Sequence, residues 1–171
     1  MVNQNKGKEK NMLEQLLKDL KSGDIEQKAA TAVALAKLGD QRAVEPLIKA
    51  LSDKDTGVQY AVVTALGALG DPRAVQPLLA VLRRTPGDTW VDQAAGLALG
   101  RLGVEAVPEL MVALADKQEN ILVRAWAARA LGTIGDKRAV ALLKETLLDE
   151  NAHVQEASAE GLEQLEYLQK L

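Results

Sequence analysis

Apolar residues recur along this chain at i, i+3, i+4 and i+7, break at a glycine, and then recur. One stripe reads Val44, Leu47, Ile48, Leu51; later copies are Val75, Leu78, Leu79, Leu82 and Val107, Leu110, Met111, Leu114. That spacing puts four side chains on one face of an α-helix. A version without the glycine signature stands upstream as Leu13, Leu16, Leu17, Leu20, and a fading one downstream as Val140, Leu143, Lys144, Leu147. Between the stripes lies a second helical frame with smaller side chains. It reads Val58, Val62, Ala65, Leu66, Leu69, then Val91, Ala95, Ala98, Leu99, Leu102, then Val123, Ala127, Ala130, Leu131, Ile134. At the ends it turns more polar, as Gln27, Thr31, Ala34, Leu35, Leu38 and as Val154, Ser158, Gly161, Leu162, Leu165.

The alternation is a repeat. GDQRAVEPLIKAL begins at Gly39, GDPRAVQPLLAVL at Gly70, GVEAVPELMVAL at Gly103 and GDKRAVALLKETL at Gly135, a phase of about thirty-two residues. A period of that size marks helix pairs that bury their apolar faces against neighbouring pairs in a stack. The pattern predicts an all-α chain of about five pairs in one domain over 12–171, with repeats at about 12–39, 40–70, 71–103, 104–135 and 136–171. The polar, weakly basic segment 1–11 reads as a disordered lead-in. Polar substitutions in the outer pairs suit a stack whose end faces have no neighbour.

Punctuation fits this division. Gly39, Gly70, Gly103 and Gly135 each close a second helix, where a left-handed residue favours glycine. Asp40, Asp71 and Asp136 follow as N-caps, with Pro72 at a favoured first helical position. Val104 replaces the capping Asp in the fourth repeat, so that helix is expected to start less crisply. Pro46 and Pro77 fall one turn inside their helices and predict bends. Gly67, Gly100 and Gly132 lie mid-helix, where glycine costs about 1 kcal/mol against alanine, so close approach of neighbouring helices is expected there.

The pattern GD-x-RAV-x-PL, followed by V-x-x-x-x-x-x-ALG-x-LG, resembles the HEAT-like repeats of phycobilin lyases, found also in many stand-alone bacterial and archaeal proteins. The likeness covers roughly Leu13 to Leu165. It implies a right-handed α-α superhelix, first helices on the convex side and second helices lining a concave face. The Arg that usually follows the second-helix Val in these repeats stands here only as Arg124; Gln59, Asp92 and Gln155 replace it. A polar ladder built on that Arg is not expected to run the length of the stack.

Once the buried frame is fixed, helical angles divide the remaining second-helix positions. Those pointing away from the first helix are Gly57, Tyr60, Ala61, Thr64 and Ala68 in repeat two, and Trp90, Gln93, Ala94, Leu97 and Arg101 in repeat three. In repeat four they are Leu122, Ala125, Trp126, Arg129 and Thr133, and in repeat five His153, Glu156, Ala157, Glu160 and Gln164. The chain has no Phe, and three of its four aromatics, Tyr60, Trp90 and Trp126, land on this surface. Trp, Tyr and Arg are enriched at binding hot spots. The set Tyr60, Thr64, Trp90, Gln93, Leu97, Arg101, Leu122, Trp126, Arg129, His153 and Glu156 is therefore the candidate partner-binding surface. The structural alternative is that the two tryptophans cover the joints between repeats.

Composition narrows the chemistry. Without cysteine there are no disulfides or thiolate ligands, which fits a cytoplasmic protein. The net charge of −3 gives no general attraction to phosphates and argues against nucleic acid. No apolar run reaches membrane-spanning length, and the N-terminus lacks a signal-peptide core. HEAT-like iron hydroxylases carry paired His-Glu motifs, of which this chain has none. His153, Glu156 and Glu160, at i, i+3 and i+7, have a spacing that suits a metal, yet such a run is more often a solvated charged face, and no metal or cofactor is expected. Arg101 and Arg129 beside two tryptophans resemble the clefts of HEAT-like DNA glycosylases, without the basic stripe that binding DNA needs. The runs Lys6 to Lys10 and Glu156 to Glu166 read as a solvated tail and a solvated helix face. The final segment to Leu168 and Leu171 reads as a cap on the last repeat, with weak homodimerisation through the C-terminal helix as its alternative.

The expectation is a non-enzymatic module that binds a protein on its concave face. Second stands an accessory subunit or chaperone like those of phycobilin lyases, positioning a tetrapyrrole and its acceptor protein; third, a nucleic-acid-binding HEAT-like protein.

Overall fold

A computed structural model describes the backbone over 2–84 and 90–170, with side chains from residue 10 onward. Among the described residues there are ten α-helices and no strand. The first helices are α1 (Val2–Ser22), α3 (Val44–Ala50), α5 (Val75–Arg84), α7 (Val107–Ala115) and α9 (Val140–Thr146). The second helices are α2 (Ile25–Leu38), α4 (Thr56–Leu69), α6 (Trp90–Arg101), α8 (Ile121–Ile134) and α10 (Ala152–Leu168). Each second helix packs on its own first helix and on the second helices beside it. The apolar stripes fill the space between the two rows as one continuous core, with Leu47, Leu78, Leu82, Leu110, Leu114 and Leu143 fully buried.

Helix α1 begins at Val2, so helix extends back over the lead-in that the sequence left without structure. Burial of the described side chains starts only at Leu13. The side chains of Lys6 to Glu9, and Leu171 altogether, lie outside the described residues.

The GD signature builds a turn more specific than a helix cap. Gly39, Gly70 and Gly135 are left-handed, with φ of 69°, 65° and 74°. Each is followed by one turn of 3-10 helix, at Gln41–Ala43, Pro72–Ala74 and Lys137–Ala139, before α3, α5 and α9 begin. Asp40, Asp71 and Asp136 accept the backbone N–H of Arg42, Arg73 and Arg138, and those arginines close back onto the same carboxylates. The guanidinium hydrogen bond holds all three carboxyls below the ordinary carboxylate range. Arg73 also donates to the Gln41 carbonyl and Arg138 to that of Val104, each one repeat back. The motif's Arg therefore ties a turn to its predecessor. Val104–Ala106 forms the same 3-10 turn with no side-chain cap bond at Gly103.

Pro46 and Pro77 are the third residues of α3 and α5 and stand where 3-10 gives way to α-helix, rather than inside an established α-helix. The change of helix type occurs without proline in repeat five, so proline is not its cause.

The mid-helix glycines mark close approach of neighbouring helices, as expected, to backbone at Gly67 and Gly132 and to the Thr133 side chain at Gly100. A Cβ on Gly67 would lie 2.7 Å from Ala98 Cβ, and one on Gly132 would lie 2.4 Å from Gly161 Cα. The polar turn of the last frame has a different origin from the one expected. Ser158 is fully buried and shares a 2.8 Å hydrogen bond with Thr146, so it belongs to the interior of the last pair rather than to an exposed end face.

Candidate functional site

Four second helices carry the candidate surface, and their packing decides which residues reach solvent. The position three after the frame Val faces sideways. Ala61, Ala94 and Ala157 at that position, and Ala125 two after Val123, expected to point outward, are all buried, because neighbouring second helices meet along that side. Small residues there let the helices approach closely.

Trp126, three after Val123, lies on the same side and is half-buried. Its indole lies where a side chain on Gly96 would be, with ring carbons 2.1 Å from the ideal Cβ position. The tryptophan of repeat four thus fills the joint with repeat three. Its outer face supports Arg129, whose guanidinium carbon is 5.4 Å from the ring centroid. Arg129 donates from Nε to Glu160 at 2.5 Å, bridging α8 to α10. Trp126 and Arg129 form a fixed element of the surface; the Gly96 seat beneath them could be found only by knowing which residue faces the tryptophan.

Other candidates stand clear of the core. Trp90 is 80% exposed, Leu97 58% and Tyr60 48%. Gln93 and Arg101 are exposed on α6, and His153 and Glu156 on α10, while Thr64 and Leu122 are half-buried. Val33, 44% exposed on α2, lies six residues after Gln27. It therefore shares the row of Thr64, Leu97, Arg129 and Glu160, and the sequence reading had missed it. The row is apolar on α2 and α6, carries the hydroxyl of Thr64 on α4, and is cationic on α8 and acidic on α10. His153, Glu156 and Glu160 do not converge: among the described residues no group of three His, Cys, Asp or Glu side chains could hold a metal.

The polar ladder persists with other residues. Arg124 is buried, donates from Nε to the Leu114 carbonyl at 3.1 Å, and forms a bidentate pair with Asp149 of the next repeat. Lys28 holds the equivalent position in repeat one and pairs with Asp53 at 2.9 Å, again twenty-five residues on. Gln59 and Gln155 hold their own loops, donating to the carbonyls of Asp53 and Asp149 at 2.6 and 2.5 Å. The Arg124 guanidinium holds the Asp149 carboxyl below its ordinary range. For Asp53 the backbone N–H of Asp55 contributes most, then Lys28. These groups fix the loop edge and contribute nothing to the outward face.

The chain matches the family of HEAT repeats over residues 13–95 and 84–163. It is 41% identical over 76 residues to the bilin biosynthesis protein RpcF of Synechococcus sp. (strain WH8020), a match spanning 44% of this chain and 35% of that protein. It is 38% identical over 73 residues to deoxyhypusine hydroxylase of Danio rerio, spanning 42% of this chain and 24% of that one. The matched stretches are about a third and a quarter of these relatives. Among solved structures, the complex of CpcE and CpcF of phycocyanin lyase from Nostoc sp. PCC7120 resembles the chain with a TM-score of 0.59 at 27% identity, over 89% of this chain and 64% of that one. With the repeats matched over nearly their whole extent, the chain belongs to the HEAT-repeat family.

Proposed function

We propose that this chain is a non-catalytic scaffold that binds a partner protein across the outward faces of its second helices. The observation that carries this reading is the exposure of Trp90, with Leu97 and Tyr60 beside it, in a chain whose core uses no large aromatic side chain. Leaving an indole in water forgoes about 1.5–3 kcal/mol of burial, the scale for a large apolar side chain. Tryptophan and tyrosine return most at an interface, where a rigid apolar body lies beside a polar rim. The rim here is Gln93, Arg101 and Arg129. Second helices in backbone contact at Gly67 and Gly132 form the tighter row of the stack, which suits the inner side of its curve. A preformed groove loses little ordering entropy on binding. The W90A/L97A chain is expected to lose its partner in capture from native lysate while its far-ultraviolet circular dichroism stays unchanged; undiminished capture overturns the reading.

The likeness to RpcF and to the CpcE–CpcF complex favours one second reading. In it the chain is an accessory subunit that helps position a tetrapyrrole and its acceptor protein. It has no cysteine and a single histidine, His153, so a bilin would be held without a covalent bond to sulfur. A shift in bilin absorbance on adding the chain supports this second reading, and an unaltered spectrum removes it.

A further inference from the structure

The large exposed hydrophobics Val33, Tyr60, Trp90 and Leu97 lie on α2, α4 and α6, with Glu26 and Lys37 exposed beside them on α2 and Gln93 and Arg101 on α6. On α10, Glu156 and Glu163 are exposed, and among the described residues neither has an ion-pair partner. Glu160, Glu163, Gln164 and Tyr167 line an open cleft at this end. Glu160 is tied to Arg129, which rests on Trp126, so the cationic group between the two regions is already engaged.

From this we infer that the occupant of the face is an amphipathic segment of a partner protein, bound in one direction. Its apolar anchors lie over α4 and α6, and Lys or Arg residues at its other end lie over Glu156 and Glu163 on α10. This rests on the binding face proposed above and adds the partner's chemistry and polarity. Charge complementarity carries it. An unneutralised acidic end repels nucleic acid and anionic lipid, and attracts a cationic chain end. Packed helices lie about 8–10 Å apart, so α6 and α10 are separated by about 16–20 Å along the stack. That corresponds to about a dozen residues of helix, so one short segment reaches both regions.

The test selects peptides of about 20 random residues, displayed on phage, against the full chain. Recovered sequences are expected to pair aromatic or aliphatic residues at one end with Lys or Arg at the other. With the E156K/E163K chain, the recovered sequences should carry Asp or Glu at that end. The wild-type peptides should also bind the reversed chain about tenfold more weakly. Recovery without charge bias from the wild type, or with the same basic end from the reversed chain, overturns the polarity while leaving the binding face standing. No recovery from the wild type, or an unchanged set from the W90A/L97A chain, overturns the face and the polarity together.

Discussion

Trp126 shows what a single glycine can decide. Its ring occupies the space a side chain on Gly96 would fill, and a Cβ there would sit 2.1 Å from two ring carbons. Gly96→Ala must therefore evict the indole or push α6 from α8. Overpacking of this kind costs about 1–3 kcal/mol. In a Trp90→Phe background the remaining tryptophan emission should shift to the red and the Tm should fall; unshifted emission would show that the joint accommodates the methyl. Helical angles pointed Trp126 outward because they describe direction from its own axis. They carry nothing about a neighbour's missing side chain. Arg124 and Asp149 have the opposite character, being 5% and 9% exposed and bonded to each other. Asp149 is held below its ordinary range, so its stabilisation is complete above the unfolded carboxylate pKa of about 3.9 and is lost as pH falls through the lower folded value. Arg124→Met leaves a buried carboxylate without its cation and should cost about 3–5 kcal/mol at neutral pH. It should also shrink the loss of stability on acidification, measured by urea unfolding between about pH 7 and pH 3. A loss as steep as in the wild type would place the acid sensitivity elsewhere.

At the scale of helices, the repeat was legible wherever its signals are local. The apolar stripes, the left-handed glycines and the capping aspartates lie within a turn of what they control, and the helices stand where the frames put them. A recurrent signal went unread: Asp24, Asp55, Asn120 and Asn151 each stand three residues before the frame position, and each caps a second helix by accepting a backbone N–H. The reach of the GD motif's Arg was not legible, since its bond to the preceding turn crosses a repeat. Two glycines separate local from tertiary cost. Gly103 has φ of +79° and ψ of −169°, a region open essentially to glycine alone, with nothing within 4 Å of a Cβ, so alanine there meets backbone strain of about 1–3 kcal/mol and no clash. Gly132 has ordinary helical neighbours, yet its Cβ would lie 2.4 Å from Gly161 Cα and 2.5 Å from Gly161 O. Backbone cannot rotate away as a side chain does, so the helices must separate. Gly132→Ala should therefore destabilise more than Gly103→Ala in urea unfolding, despite the gain in helix propensity. The reverse order would mean that α8 and α10 slide apart at little cost.

Across the whole molecule the joints between repeats are unequal, and in a stack this sets how it comes apart. Repeats four and five share the Arg124–Asp149 pair, the Arg129–Glu160 bridge, the bond from Arg138 to the Val104 carbonyl and the Gly132–Gly161 contact. Among the described residues, the one ion pair between repeats one and two is the partly exposed Lys28–Asp53. Stability in such a chain is approximately a sum of repeat terms and nearest-neighbour interface terms, so opening should begin where the interface is weakest. Of the two end pairs, each with a single neighbouring repeat, the N-terminal pair has the fewer polar ties among the described residues, so it is expected to open first. Hydrogen exchange should accordingly be fastest in α1 and α2 and slowest in α8. In the wild type, α10 should be protected nearly as well as α8, since the two are joined by several independent contacts. Arg124→Met removes one of them at the loop edge and leaves Gly132 and Arg129 in place. If the joint acts as a unit, protection should fall in α9 and α10 together while α4 and α6 keep theirs. Loss spread evenly over all ten helices would mean that the stack unfolds in one step and that the joints do not differ in the way their contacts imply.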